Sequence, residues 1–173
     1  MLLSKPTNIY TGVGSRKTPY DVQELFISVA QYLSPLGYIL RSGGAEGADT
    51  AFEEGCDRGQ GAKEIYLPWE RFNGNPSKLF TPEPKARSIA KRFHPDWKKC
   101  NKPVKLLHAR NSHELLGRGL NTPSRFLLCW TDGSGGTSRL IRVAEGYGIP
   151  VCNADDCTEE EVWEFIKVHI GSL

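Results

Sequence analysis

Three short stretches of this chain combine glycine with hydroxyl or cationic side chains as phosphate recognition requires. They are Gly12-Val13-Gly14-Ser15-Arg16, Ser42-Gly43-Gly44-Ala45-Glu46-Gly47-Ala48-Asp49 and Asp132-Gly133-Ser134-Gly135-Gly136-Thr137-Ser138. Each follows an apolar run and leads toward a helical pattern. Glycine lets the main chain approach an oxyanion closely, and the first turn of a helix offers unpaired N–H groups with partial positive charge. The expected chemistry is recognition of a nucleotide or nucleic-acid phosphate by Gly14, Ser15, Arg16, Ser42, Gly43, Gly44, Gly47, Gly133, Ser134, Gly135, Gly136 and Thr137. Arg16 adds a guanidinium able to hold a phosphate or a base edge.

The same stretches narrow the chemistry. The first begins like a dinucleotide fingerprint, but Lys17 stands at its third glycine position, which speaks against a standard dinucleotide site. The third lacks the Gly-Lys-Ser/Thr ending of a Walker A loop, so nucleoside triphosphate hydrolysis by a P-loop is not expected. No Gly-x-Ser-x-Gly elbow occurs. Asp49 falls in the first turn of its helix, where it either caps the N-terminus or accepts from a sugar hydroxyl or base amine. Glu46 and Asp49 are the candidate catalytic carboxylates, with a solvated loop position the plainer role for Glu46. His94, His108, His113 and His169 are scattered along the chain and read as ordinary surface or helix histidines. Neither a metal nor a cofactor is expected.

One region is locally basic. Lys85, Arg87, Lys91, Arg92, Lys98, Lys99, Lys102 and Lys105 are opposed only by Asp96, with Phe93, His94 and Trp97 interleaved. Cations for phosphates and rings for stacking suit a single nucleic-acid strand, with Lys91, Arg92, Lys98 and Lys99 as the contacts. The alternative is a solvated basic face. The formal net charge of +2 neither demands nor excludes DNA.

The elements that must position these residues follow from periodicity. With 173 residues, 39% hydrophobic and 24% charged, the chain is expected to form one domain with a full core. Strands are predicted over 8–13, 38–40, 65–67, 125–130 and 149–152, and helices over 21–33, 48–58, 85–93, 104–116, 137–147 and 158–170. Residues 68–103 read as a loop-rich basic insertion. Strands alternating with helices predict an α/β fold, a single Rossmann-like domain with a mostly parallel sheet and helices on both faces. Thr158 followed by Glu161 has the spacing of a capping box. Five cysteines without repeating spacing read as reduced thiols. The N-terminal residues lack a long apolar core and no stretch approaches a membrane span, so a cytoplasmic location is the expectation.

Taken in order, these residues resemble the Rossmann-like core of the DprA/Smf family of DNA-processing proteins, part of a broader superfamily with the LOG-type, lysine-decarboxylase-like proteins. Gly14-Ser15-Arg16 is similar to the family's first-strand motif, and Ser42 to Asp49 to its Ser-Gly-x-Ala-x-Gly-x-Asp motif. Arg110-Asn111 is similar to the start of its Arg-Asn-Arg-Ile-Ile segment, from which Ser112 and His113 depart; Gly133 to Ser138 resembles its Ser-Gly-Ser-x-x-Thr turn. The likeness spans about Asn8 to Asn153. It implies single-stranded DNA binding in DNA processing or recombination, with Arg110 and Asn111 joining the phosphate site. The chain has no room for the additional domains of larger members, as a compact phage or mobile-element version would. LOG-type enzymes, which cleave the N-glycosidic bond of nucleoside monophosphates, supply an enzymatic alternative. Their catalytic glutamate position falls on Leu140 here, so binding is favoured over catalysis. A sensor or sequestering protein for a nucleotide-derived signal is a further alternative. Subunit pairing into a homodimer or higher homo-oligomer is expected of such folds.

Overall fold

The computed structural model describes residues 7–171. The elements run β1 (Ile9–Gly14), α1 (Tyr20–Leu33), β2 (Ile39–Ser42), α2 (Ala48–Arg58), β3 (Lys63–Leu67), β4 (Leu79–Phe80), α3 (Pro84–Phe93), α4 (Lys102–Leu116), β5 (Leu127–Trp130), α5 (Gly135–Gly146), β6 (Val151–Asn153) and α6 (Glu159–Ile170). All six strands form one parallel sheet in the order β4-β3-β2-β1-β5-β6. This is a single Rossmann-like α/β domain. Among the described residues no helix is long and apolar enough to cross a membrane.

Side-chain alternation along the strands divides the core in two. Tyr10, Leu40, Leu128 and Trp130 point to the face covered by α1, α2 and α6, where Phe26, Phe52, Val162 and Ile166 meet them. Val13, Leu127 and Cys129 point to the opposite face, with Ala86, Ala109, Leu140 and Val143 of α3, α4 and α5. The central strands are buried on both sides, which explains the nearly unbroken apolar run Phe126-Leu127-Leu128-Cys129-Trp130.

Several bounds shift by one or two residues from the periodicity reading, with α5 already begun at Gly135, and two stretches differ more. β2 extends through Arg41 and Ser42, which are polar yet buried. The guanidinium of Arg41 is neutralised by Glu64 at 3.2 Å and donates to Ser124 Oγ, to Thr122 Oγ1 and to the Thr122 carbonyl, so it clamps the chain between α4 and β5. Within 68–103, Leu79 and Phe80 add a short edge strand to β3, and single 3-10 turns occur at Phe72–Gly74 and Trp97–Lys99. Two-residue pairing leaves no periodic signal in a sequence.

Candidate phosphate site

β1 is flanked by β2 and β5, and the helices that follow β1 and β5 cover opposite faces of the sheet. Their loops therefore part above the strand ends and open a crevice, the usual ligand position in an open α/β sheet.

The three glycine-rich turns meet there. Ser15 N–H donates to the Trp130 carbonyl at 3.1 Å, tying the first turn to the end of β5. Gly14 N–H donates to Asp49 Oδ1 at 3.1 Å, tying it to the second turn. A Cβ on Gly14 would stand 2.6 Å from Ala48 Cβ and 2.9 Å from the Trp130 carbonyl oxygen, so any side chain would wedge the turns apart. Gly47, at φ +86°, brings the second turn so near the first that a Cβ there would lie 2.7 Å from the Ser15 carbonyl. In the third turn the Ser134 hydrogen bonds, with the charge of Lys17 adding to them, hold the Asp132 carboxyl below its ordinary range. Asn153 at the end of β6 braces that turn, accepting from Thr131 N–H and donating to its carbonyl.

Several donors at this edge have no protein acceptor among the described residues. They include the N–H groups of Gly44, Glu46 and Gly47 before α2, and of Gly135, Gly136 and Thr137 in the first turn of α5. Ser134, the residue preceding α5, makes no side-chain cap, and its hydroxyl donates to Asp132 Oδ1. Gly133 to Gly136 are exposed, as is Arg16, which has no hydrogen-bond or ion-pair partner among the described residues. Glu46 is exposed too.

Other predicted residues stand behind the crevice. Ser42 Oγ is buried and donates to the Gly12 carbonyl at 2.6 Å, stitching β2 to β1. Asp49 neither caps α2 by its own side chain nor lies open; its carboxylate accepts from Gly14 and Ala45 N–H. Arg110 is 6% exposed. Its guanidinium pairs with Glu114 at 2.7 Å, donates to the carbonyls of Gly43 and Tyr66 and to Asn111 Oδ1, and lies over the Phe72 ring. Burial pushes the Asp49 carboxyl up to about 6 and that of Glu114 to about 8, against the opposing pull of Arg110. Arg110 thus anchors the floor of the second turn. Asn111 shares that anchor through Oδ1, while its Nδ2 lies 3.9 Å from the Cβ position of Gly136 and donates to no described residue. Leu140 is a core residue of α5, 2% exposed.

The basic region presents Lys91, Arg92, Lys98 and Lys99 to solvent. Its rings turn inward: Trp97 is 8% exposed, under Lys105 and beside His94, and Phe93 packs against Tyr147 and fills the space a Cβ on Gly146 would need. These four cations are exposed, whereas Trp97 and Phe93, expected to stack on bases, are packed into the fold.

The histidines are not all dispersed. His94 and His108 face each other with ring centroids 4.6 Å apart, and Cys100 Sγ lies 3.6 Å from His94 Nε2. Burial, with His94 and Arg139 adding repulsion, lowers His108 to about 4, so its imidazole is neutral near pH 7. The chain folds these residues together from the end of α3, the turn before α4, and α4 itself, which no linear spacing reveals.

No protein-family model and no curated protein matches this chain. Among solved structures, it is similar to the molybdenum cofactor binding protein of the phototrophic bacterium Rippkaea orientalis. The two share 12% identity at a TM-score of 0.46, over 98% of this chain and 100% of that one.

Proposed function

We propose that this protein binds the phosphates of a nucleotide, with single-stranded DNA as its polymeric ligand, at the crevice between the ends of β1, β2 and β5. The observation that carries the reading is the convergence of three glycine-rich turns at a topological switch point, with free N–H groups from two helix starts on the same edge. Exposed Arg16 contributes the cation, and Asn111 Nδ2 a neutral donor beside Gly136. Because buried Leu140 occupies the position of the LOG-type glutamate, the reading is binding and not N-glycosidic cleavage. DNA processing is the role the DprA/Smf resemblance suggests.

Fluorescence anisotropy of a labelled single-stranded oligonucleotide, with a nucleoside monophosphate as competitor, tests the site. Arg16→Ala removes the free cation. Gly136→Asp places a carboxylate among the α5 N–H groups at a position where a Cβ meets nothing nearer than 3.9 Å, so the helix start is preserved while phosphate is repelled. Each variant is expected to weaken binding about tenfold or more, the order of one charge-assisted contact. Undiminished binding in both folded variants would overturn the site.

A further inference from the structure

A second cluster of chemical interest lies beside the crevice and is built from different residues. His94, Cys100 and His108 each offer one ligand atom, and the three atoms lie within 4.8 Å of one another, all half-buried. A tetrahedral zinc ion bound at about 2.3 Å to sulfur and about 2.05 Å to nitrogen holds those two atoms about 3.6 Å apart. The observed Cys100 Sγ to His94 Nε2 separation is 3.6 Å. From this geometry we propose that His94, Cys100 and His108 form a binding site for a zinc-class divalent cation, with the fourth coordination position left to water or an anion.

Ligand chemistry and surroundings agree with that assignment. One thiolate and two imidazoles select a borderline-soft ion over magnesium or calcium, which take oxygen ligands. On binding, the Cys100 thiol proton is released to solvent and the ring proton of His94 moves from Nε2 to Nδ1. His94 Nδ1 then gives up the hydrogen bond it accepts from Asp96 N–H at 3.0 Å, and the thiol gives up its bond to the Asp96 carbonyl at 3.6 Å. Those losses are small beside a metal–thiolate bond. The Cys100 thiolate halves the charge of the dication. The Cβ position of Gly136 is 4.0 Å from His108 Cε1, so the cation site adjoins the free N–H groups of α5. The metal site does not depend on the phosphate reading and can be tested without it.

The test is a cobalt(II) titration of the reduced, chelator-treated full chain followed by absorbance. One equivalent should produce a thiolate-to-cobalt charge-transfer band with visible bands of tetrahedral intensity, and zinc should abolish them by displacement. Cys100→Ser should lose the charge-transfer band, and His108→Ala should weaken binding at least tenfold; circular dichroism confirms that each variant is folded. If Cys100→Ser does not fold, His108→Ala alone decides. Absence of the bands in the folded wild type, their persistence in Cys100→Ser, or unchanged affinity in His108→Ala would overturn the proposal.

Discussion

Asp49, Arg110 and Glu114 illustrate how buried charge can be spent on loop geometry. Glu114 pairs with the Arg110 guanidinium beneath the second glycine-rich turn, Asp49 feels the same charge while accepting from Gly14 and Ala45 N–H, and the guanidinium also donates to Asn111 Oδ1 and to the Gly43 and Tyr66 carbonyls. Both carboxyls have native pKa values above their ordinary 3.8 and 4.5, at about 6 and about 8. Between these limits the folded state keeps protons that the unfolded chain has released, so stability is highest at the acid end of the window and declines as pH rises from about 4 to about 8. Urea unfolding at pH 5, 6.5 and 8 should show this decline, on the order of 5 kcal/mol between the two ends. Glu114→Gln keeps an acceptor for Arg110 but cannot ionise, and should flatten the part above pH 6. An unchanged slope in that variant would remove Glu114 as its source. The sequence pointed to Arg110 and Asn111 through a motif likeness, and the four-residue spacing of Arg110 and Glu114 on α4 already allows their ion pair; packing of α4 on the sheet alone decides that the guanidinium meets the Gly43 and Tyr66 carbonyls and so holds the floor of the turn.

At the scale of elements, local rules were legible wherever the signal was local. α2 begins at Ala48 and ends at Arg58 as its glycine-bounded pattern implies. α6 carries the full capping box read from Thr158 and Glu161: Thr158 Oγ1 accepts from Glu161 N–H at 3.2 Å, and Glu161 Oε1 accepts from Thr158 N–H at 3.3 Å. Thr158→Ala should therefore cost about 1 kcal/mol, read as a lower urea midpoint with an unaltered denaturant slope, and Thr158→Asp should recover most of it. β4 and the polar end of β2 were not legible. The first is two residues long, and the second buries an arginine whose partners, Glu64, Thr122 and Ser124, come from separate parts of the chain.

For the whole molecule, the salt dependence of DNA binding separates the crevice from the basic face. A net charge of +2 gives little long-range attraction, so the slope of affinity against salt counts local phosphate contacts. If Lys91, Arg92, Lys98 and Lys99 each neutralise one phosphate of a single strand, log affinity should fall with log salt at a slope near −3, since each contact contributes about −0.7. Replacing all four with alanine should then remove that part of the slope and leave about −0.7, the contribution of Arg16. A slope unaffected by the four substitutions would leave these cations as a solvated face and confine the ligand to the crevice.

The sequence by itself determined the alternation of strands and helices, hence the parallel sheet, and put a glycine-rich turn after each of three strands, because chain-local periodicity and backbone freedom fix both. Tertiary structure alone decided what those turns do together. Strand order sends the loops after β1 and β5 to opposite faces and opens the crevice between them. Packing turned Ser42 and Arg110 inward as supports and left Arg16 and the α5 N–H groups at the surface. It also gathered His94, Cys100 and His108 from three separate segments. Spacing along a chain carries no record of such a meeting, since it depends on how α3 and α4 pack against each other and not on either helix alone.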